Sequence, residues 1–184
     1  MEKVIVGKAS VSAAPVVIAG ALVNGRPNYI TLGSYGGMSR ETPIAYISVN
    51  KTHYTNAGIK ENSYFSVNIP SRNLVKETDY VGIVSGRDTD KSGIFSAFYG
   101  SIDKAPMIEE CPVNILCKTI DIVDLPRHEV FIGEIIETYV DKEYVVDGEP
   151  DMQKINPLLS AGGKYCELGS PVGTPHEDGK ALIK

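Results

Sequence analysis

The feature that most constrains the fold is a pair of apolar, β-like segments joined by a two-residue turn signal. The first segment covers 16–23 and the second covers 28–35, with Asn24-Gly25 between them. Asn and Gly both tolerate the positive φ values of a tight hairpin turn, so this stretch is predicted to form an antiparallel hairpin. The fold must therefore contain local antiparallel pairing.

The rest of the chain continues with short apolar runs that end at Gly, Pro or Asn. Further strands are predicted at 44–50, 64–69, 113–123, 129–140 and 143–146, helices at 54–62 and 73–84, and a short helix ending at Phe98. Strands outnumber helices and follow one another in hairpin order, which favours a mainly β fold, a closed antiparallel barrel with a few peripheral helices. A length of 184 residues suits a single domain over 1–184.

Composition excludes several classes of partner and location. The net charge is −5, so the chain lacks the long-range field that attracts nucleic acid or an anionic membrane. Its three cysteines have no paired spacing, which argues against a disulfide framework and suits a reducing compartment. The longest uncharged stretch, 11–23, is too short to span a bilayer, and the first residues lack the apolar run of a signal peptide. A cytoplasmic location is expected.

Familiar site motifs are missing from the sequence. The glycines of 33–37 lack the spacing of a dinucleotide fingerprint, and 162–164 lacks the flanking residues of a phosphate-binding P-loop. Cys111, Cys117 and Cys166 form no metal pair with the histidines and are interpreted as core thiols. No metal site and no nucleophilic triad are expected.

Two polar loops are more informative. The segment 48–55 (SVNKTHYT) lies at a predicted strand-to-helix junction, where free backbone N–H groups and side-chain donors suit a phosphate monoester. The segment 85–91 (SGRDTDK) supplies Arg87 and Lys91. Taken alone, the first loop is also consistent with an ordinary helix cap and the second with a self-neutralising surface loop. Together they are candidates to bind one small anion.

Eight segments, in order and at family-like spacing over 15–140, carry a resemblance to a known family. They are 15–20 (PVVIAG), 28–35 (NYITLGSY), 42–43 (TP), 48–55 (SVNKTHYT), 64–70 (YFSVNIP), 85–91 (SGRDTDK), 117–118 (CK) and 128–134 (HEVFIGE). In this respect the chain resembles the flavin reductase-like, flavoredoxin family.

The resemblance implies an FMN-binding split β-barrel, a homodimer and an FMN held near the subunit interface. It implies three groups of cofactor-binding residues and one catalytic residue. The ring-lining group is Asn28, Thr31, Gly33, Ser34 and Tyr35, the phosphate group is Ser48, Asn50, Lys51, His53 and Thr55, and the closing loop is Ser85, Gly86, Arg87 and Lys91. His128 matches the position expected to face the flavin.

Two functions follow from the resemblance. The first is an FMN-dependent oxidoreductase that passes electrons from NAD(P)H or a protein donor to an acceptor, with the chemistry supplied mainly by the cofactor. The second is a flavin-binding electron carrier without NAD(P)H reductase activity. The sequence contains no nicotinamide motif that separates them.

Overall fold

The computed structural model describes residues 1–8 and 12–183. Strands dominate these residues, and helices are few and short. The strands are β1 (Ala13–Pro15), β2 (Val17–Val23), β3 (Arg26–Leu32), β4 (Tyr35–Ser39), β5 (Ile44–Asn50), β6 (Tyr64–Ile69), β7 (Ala97–Phe98), β8 (Met107–Ile108), β9 (Val113–Asp124), β10 (His128–Val140), β11 (Val145–Val146), β12 (Glu149–Pro150), β13 (Leu159–Ala161) and β14 (Lys164–Cys166). The helices are α1 (Tyr54–Asn62), α2 (Val75–Ile83) and α3 (Met152–Ile155), with 3₁₀ turns at Arg72–Leu74, Lys142–Tyr144 and Asp178–Leu182.

Seven antiparallel strands form the main sheet, in the order β3-β2-β6-β9-β10-β5-β4. Residues of β3 also approach β5, so the sheet curls back on itself. The predicted mainly β architecture is confirmed. Within the described ranges, the helices are too short or too polar to cross a membrane.

The side chains of β2 point alternately to the two faces of the sheet, and both faces are buried. Val17, Ala19 and Ala21 pack in the barrel interior with residues such as Phe65. Ile18 points to the opposite face, where it joins a second cluster with Tyr29 of β3 and Val81 of α2. A strand that is buried on both faces has a continuous apolar run, which explains the sequence of 16–23.

Helix α1 lies closely against the end of β2. A Cβ atom at Gly58 would overlap the carbonyl oxygen of Leu22 and lie 2.7 Å from Val23 Cγ2. The Asn62 side-chain amide donates to the same Leu22 oxygen at 3.0 Å. The absence of a side chain at Gly58 therefore sets the position of α1 on the sheet.

Most local predictions are confirmed. Asn24 and Gly25 both have positive φ, 51° and 74°, as the hairpin requires. Both longer helices form where they were predicted, with α2 shortened to Val75–Ile83 behind a 3₁₀ turn. Cys111, Cys117 and Cys166 are free thiols, and burial raises the pKa of Cys111 and Cys117, so these two are unreactive core residues. The core prediction is wrong for Cys166, which is only half-buried on β14.

Two local predictions are wrong, and a third is half right, because the predicted strand 143–146 begins in a 3₁₀ turn and is a strand only at Val145–Val146. The predicted strand 28–35 is interrupted at 33–34, because Ser34 Oγ donates to Ser48 O at 2.8 Å and Ser48 N donates to Ser34 O at 3.0 Å. Tyr35 consequently begins β4, opposite Ile47 of β5. The predicted helix ending at Phe98 is also wrong, since Ala97 and Phe98 pair with Ile108 and Met107 as a small hairpin.

Candidate functional site

The candidate site is built around the N-terminus of α1. After β5, Asn50 Oδ1 accepts hydrogen bonds from Thr52 N at 3.0 Å and Thr52 Oγ1 at 2.9 Å, which turns the chain into the helix. His53 occupies the extended N-cap position but makes no side-chain capping bond to the described residues, and the first turn holds no acidic residue. Asn56 N donates to His53 O at 3.1 Å, and the earlier backbone N–H groups of the first turn are available at the positive end of the helix dipole.

The second polar loop lies directly against this helix start. The Arg87 guanidinium donates to the backbone oxygen of Thr52 and lies 5.9 Å from the centre of the Tyr54 ring. Arg87 N donates to Ser85 Oγ at 3.2 Å, which holds the loop in its turn. The two candidate anion-binding loops are therefore adjacent in space.

Lys91 enters the same region from the end of that loop. Its side chain is buried, and Nζ donates to Tyr29 O at 2.8 Å and to Val81 O at 2.9 Å. Burial lowers the pKa of Lys91 to about 8. Because an ammonium group has three N–H donors, one donor remains after Lys91 has linked β3 to α2.

Two clefts flank this arrangement. The first, called the α1 cleft, has a volume of about 280 Å³ and is lined by Thr52, His53, Thr55 and Ser85 among others. The second, called the hairpin cleft, has a volume of about 460 Å³ and lies beside Asn24, Arg26 and Asn28. Both clefts share Tyr54, Gly86, Arg87 and Lys91 as walls.

His53 gives the α1 cleft its electrostatic character. Its Nδ1 atom is buried and has no hydrogen-bond partner within residues 1–8 and 12–183. Desolvation lowers the pKa of His53, and the nearby His128, Lys91 and Arg87 lower it further. A neutral imidazole surrounded by cationic or protonatable groups is a place where a bound anion would be strongly favoured.

We expect the lowered pKa of His53 to make the stability of the ligand-free protein depend on pH. Below a pH of about 6.5, the usual value for histidine, the unfolded chain binds a proton that the folded chain binds less readily. The free energy of unfolding should therefore fall as the pH drops from 7.5 to 5.5. His53→Gln should show a smaller fall, measured as Tm by thermal denaturation. A Tm difference between the two proteins that is the same at every pH would contradict this.

The structure places the sequence-predicted site residues in two groups. Seven line the two clefts: Asn28, His53, Thr55, Ser85, Gly86, Arg87 and Lys91. In this group, Asn28 Nδ2 donates to the buried Thr55 Oγ1 at 2.7 Å, which joins β3 to α1.

The remaining predicted residues lie outside the walls of these clefts, on neighbouring strands and turns. They are Thr31, Gly33, Ser34, Tyr35, Ser48, Asn50, Lys51 and His128. Thr31 Oγ1 donates to Thr78 O, and Lys51 forms an ion pair with Asp124. His128 faces Asn50 across the β10–β5 pairing, and burial raises the pKa of Tyr35.

Sequence reasoning missed Tyr54 and Asn24. Tyr54 belongs to both cleft walls, and its hydroxyl accepts a hydrogen bond from Asn24 Nδ2 at 2.9 Å. The position of Tyr54 at the start of a predicted helix gave a weak signal. Its contacts with the hairpin turn and with Arg87 join distant segments, so no local pattern indicates them.

Comparison with known proteins identifies the relatives of the chain. The family model described as the flavin reductase like domain matches residues 9–169, a wider range than the 15–140 of the sequence resemblance. Flavoredoxin from Methanosarcina acetivorans is 40% identical, with a TM-score of 0.96 and all of both chains covered. Flavoredoxin of Desulfovibrio vulgaris (Miyazaki F) is 30% identical, with a TM-score of 0.89, covering 97% of this chain and 100% of that one.

A more distant structure supports the fold alone. A Shewanella frigidimarina protein described as having a split barrel domain is 20% identical, with a TM-score of 0.77, covering 89% of this chain and 86% of that one. The expected split barrel is thereby confirmed. On the family match and the two flavoredoxin likenesses together, the chain belongs to the flavin reductase-like family.

Proposed function

We propose that this protein binds FMN, with the phosphate in the α1 cleft, and is an oxidoreductase that passes electrons from NAD(P)H or a protein donor to an acceptor. Membership of the flavin reductase-like family implies a flavin cofactor. The choice of FMN rests on the chemistry of the α1 cleft.

One observation carries this choice, the unpartnered His53 Nδ1 beside an uncapped helix start. A phosphate monoester needs several N–H donors converging on one point, with positive charge nearby. The first turn of α1 supplies backbone N–H groups, Arg87 retains guanidinium donors beyond its bond to Thr52 O, and Lys91 retains one ammonium donor. These residues fit a phosphate group.

Further residues are proposed to position the rest of the cofactor. When bound, a flavin supplies reversible hydride and electron transfer at its ring. Gly33 has open space where a side chain would lie, so the backbone of 31–35 is accessible for close approach to a planar ring. Tyr35 adds an aromatic surface, and His128 adds a protonatable group beside the β5 end.

The remaining proposed binding residues act by holding these groups in place. Ser48 and Ser34 join β5 to the 33–34 break, and Asn50 forms the turn before α1. Lys51 is held by Asp124 at the base of that turn. These contacts fix the geometry of the donors before the ligand binds, which reduces the entropy cost of binding.

We also propose that residues 1–184 form one flavin-binding domain that works as a homodimer. The end of β9 and the turn after it expose apolar side chains in the single chain, namely Ile120, Ile122, Val123 and Leu125. Several exposed apolar groups along one short segment favour association. Light scattering coupled to size exclusion should give twice the mass of one chain, and Ile122→Asp should lower it. A wild-type mass of one chain at micromolar concentration would contradict the dimer.

The redox function is tested by mixing the FMN-loaded protein with NADH and, separately, with NADPH under anaerobic conditions. We expect at least one nucleotide to bleach the visible flavin absorbance, followed in a stopped-flow spectrometer. Free FMN at the same concentration is the control for reduction in solution. Bleaching by neither nucleotide would contradict the reductase function. If a reduced protein donor bleached the flavin instead, the electron carrier would be supported.

A further inference from the structure

Four residues line both the α1 cleft and the larger hairpin cleft, and Tyr54 is the aromatic residue among them. Tyr54, Gly86 and Arg87 belong to the walls of both clefts, and we call these three residues the Tyr54 partition. We propose that this partition makes the flavin site selective for a mononucleotide over a flavin dinucleotide. The inference rests on the proposed placement of the flavin phosphate in the α1 cleft.

The Tyr54 ring is held by contacts with two other segments of the chain. Its hydroxyl accepts a hydrogen bond from Asn24 Nδ2 at 2.9 Å. The ring packs on the Gly86 backbone, where an added Cβ would lie 2.6 Å from Tyr54 Cδ1. The Arg87 guanidinium lies 5.9 Å from the ring centre and is itself fixed to Thr52 O. A ring restrained by the hairpin turn on one side and by the 85–91 loop on another forms a stable wall.

The geometry of the two ligands explains why this wall matters. In a mononucleotide the phosphate ends the molecule, so a closed cleft can hold it. In a dinucleotide the same phosphate continues into a second phosphate and a nucleoside, which need additional space. The adjoining space is the hairpin cleft, whose volume of about 460 Å³ is within the range of small-molecule sites, about 300–1,000 Å³. Tyr54 lines both that space and the cleft proposed for the phosphate, so its ring limits the room for a longer ligand.

The hairpin cleft also holds cationic side chains for a second phosphate, since Arg26, Arg87 and Lys91 line it beside the carboxylates of Asp88 and Asp90. Arg26 lines this cleft and forms an ion pair with Asp90, with 3.5 Å between Nη1 and Oδ2. Both side chains are largely exposed. Such exposed pairs are weak, so Arg26 is available to another anion. Removal of the Tyr54 ring would join this cleft to the α1 cleft and open a path for the dinucleotide.

The test compares the affinities of FMN, FAD and riboflavin for wild type, Tyr54→Ala and Tyr54→Phe by flavin fluorescence titration. We expect wild type to prefer FMN to FAD, and Tyr54→Ala to reduce that preference roughly tenfold, as for other changes in pocket size. Tyr54→Phe retains the ring and should retain the preference. Tyr80→Ala, on an exposed face of α2 outside both clefts, controls for loss of a tyrosine.

A second variant serves if Tyr54→Ala does not fold. Asn24→Gly removes the amide that holds the tyrosine hydroxyl and tolerates the positive φ at this position, so it should shift the preference in the same direction by less. Suppose that wild type binds FMN better than riboflavin, so that the phosphate site stands. An unchanged ratio of FMN affinity to FAD affinity in Tyr54→Ala would then overturn the Tyr54 partition alone. If Tyr54→Ala does not fold, the same result in Asn24→Gly would overturn it. Equal wild-type affinity for FMN and riboflavin would instead refute the phosphate site, and with it this inference.

Discussion

Arg87→Ala is expected to weaken FMN binding about tenfold, or about 1.4 kcal/mol. The lost interaction is a charge-assisted hydrogen bond to a phosphate, of the kind that contributes about 1.5–3 kcal/mol when buried. Arg87 is exposed, so screening by solvent places the expected loss of binding free energy at the lower end of that range. Titration of the ligand-free protein with FMN, followed by quenching of flavin fluorescence, measures the change.

Two controls separate loss of a phosphate contact from loss of charge or structure. Riboflavin lacks the phosphate, so its affinity should be nearly the same in wild type and Arg87→Ala. Arg26→Ala removes an equal charge from the hairpin cleft, and it should change FMN affinity much less. Equal weakening of FMN and riboflavin by Arg87→Ala would mean that this residue supports the fold rather than the phosphate.

Gly58→Ala is expected to destabilise the protein by about 3 kcal/mol, at the upper end for overpacking. In an exposed helix interior the same substitution would stabilise by about 1 kcal/mol. Here the added methyl group overlaps Leu22 O, a backbone atom that cannot move without disturbing β2. Tm should fall by about 6–12 °C for a chain of this size.

The neighbouring Ala57 offers a matched control, because it is exposed on the same helix. Ala57→Gly should cost only about 1 kcal/mol, the ordinary helix-propensity difference. Because α1 also presents the proposed phosphate donors, Gly58→Ala should weaken FMN binding while Ala57→Gly leaves it close to wild type. A Gly58→Ala protein as stable as wild type would contradict the close packing of α1 on β2.

The parts of the fold that follow from local chemistry could be predicted from the sequence. Asn24-Gly25 specified the first hairpin, since only a few residue types adopt two successive positive φ values. The break at 33–34 could not be predicted, because it depends on the contact of Ser34 with Ser48 on another strand. The helix prediction near Phe98 failed for a similar reason. Phe95 is packed edge-on against Tyr29 of β3, so tertiary contacts override local preference.

Some residues of the candidate site could likewise be predicted from the sequence, and others could not. His53, Thr55 and Arg87 belong to loops whose polar composition already indicated an anion site. The burial of Lys91 could not be predicted, because its partners Tyr29 and Val81 lie on a distant strand and a helix. Tyr54 was missed since its role depends on Asn24 and Arg87 meeting at one ring. Local composition thus indicated the ligand class, and tertiary contacts defined the walls.

The central claim is that the N-terminus of α1 and the loop of Arg87 hold the phosphate of FMN. A crystal structure of the protein with FMN tests this most directly. We predict phosphate oxygens within hydrogen-bond distance of the Arg87 guanidinium and of backbone N–H groups in the first turn of α1, with His53 Nδ1 partnered. A phosphate bound elsewhere, with Arg87 and His53 making no contact to it, would contradict the account.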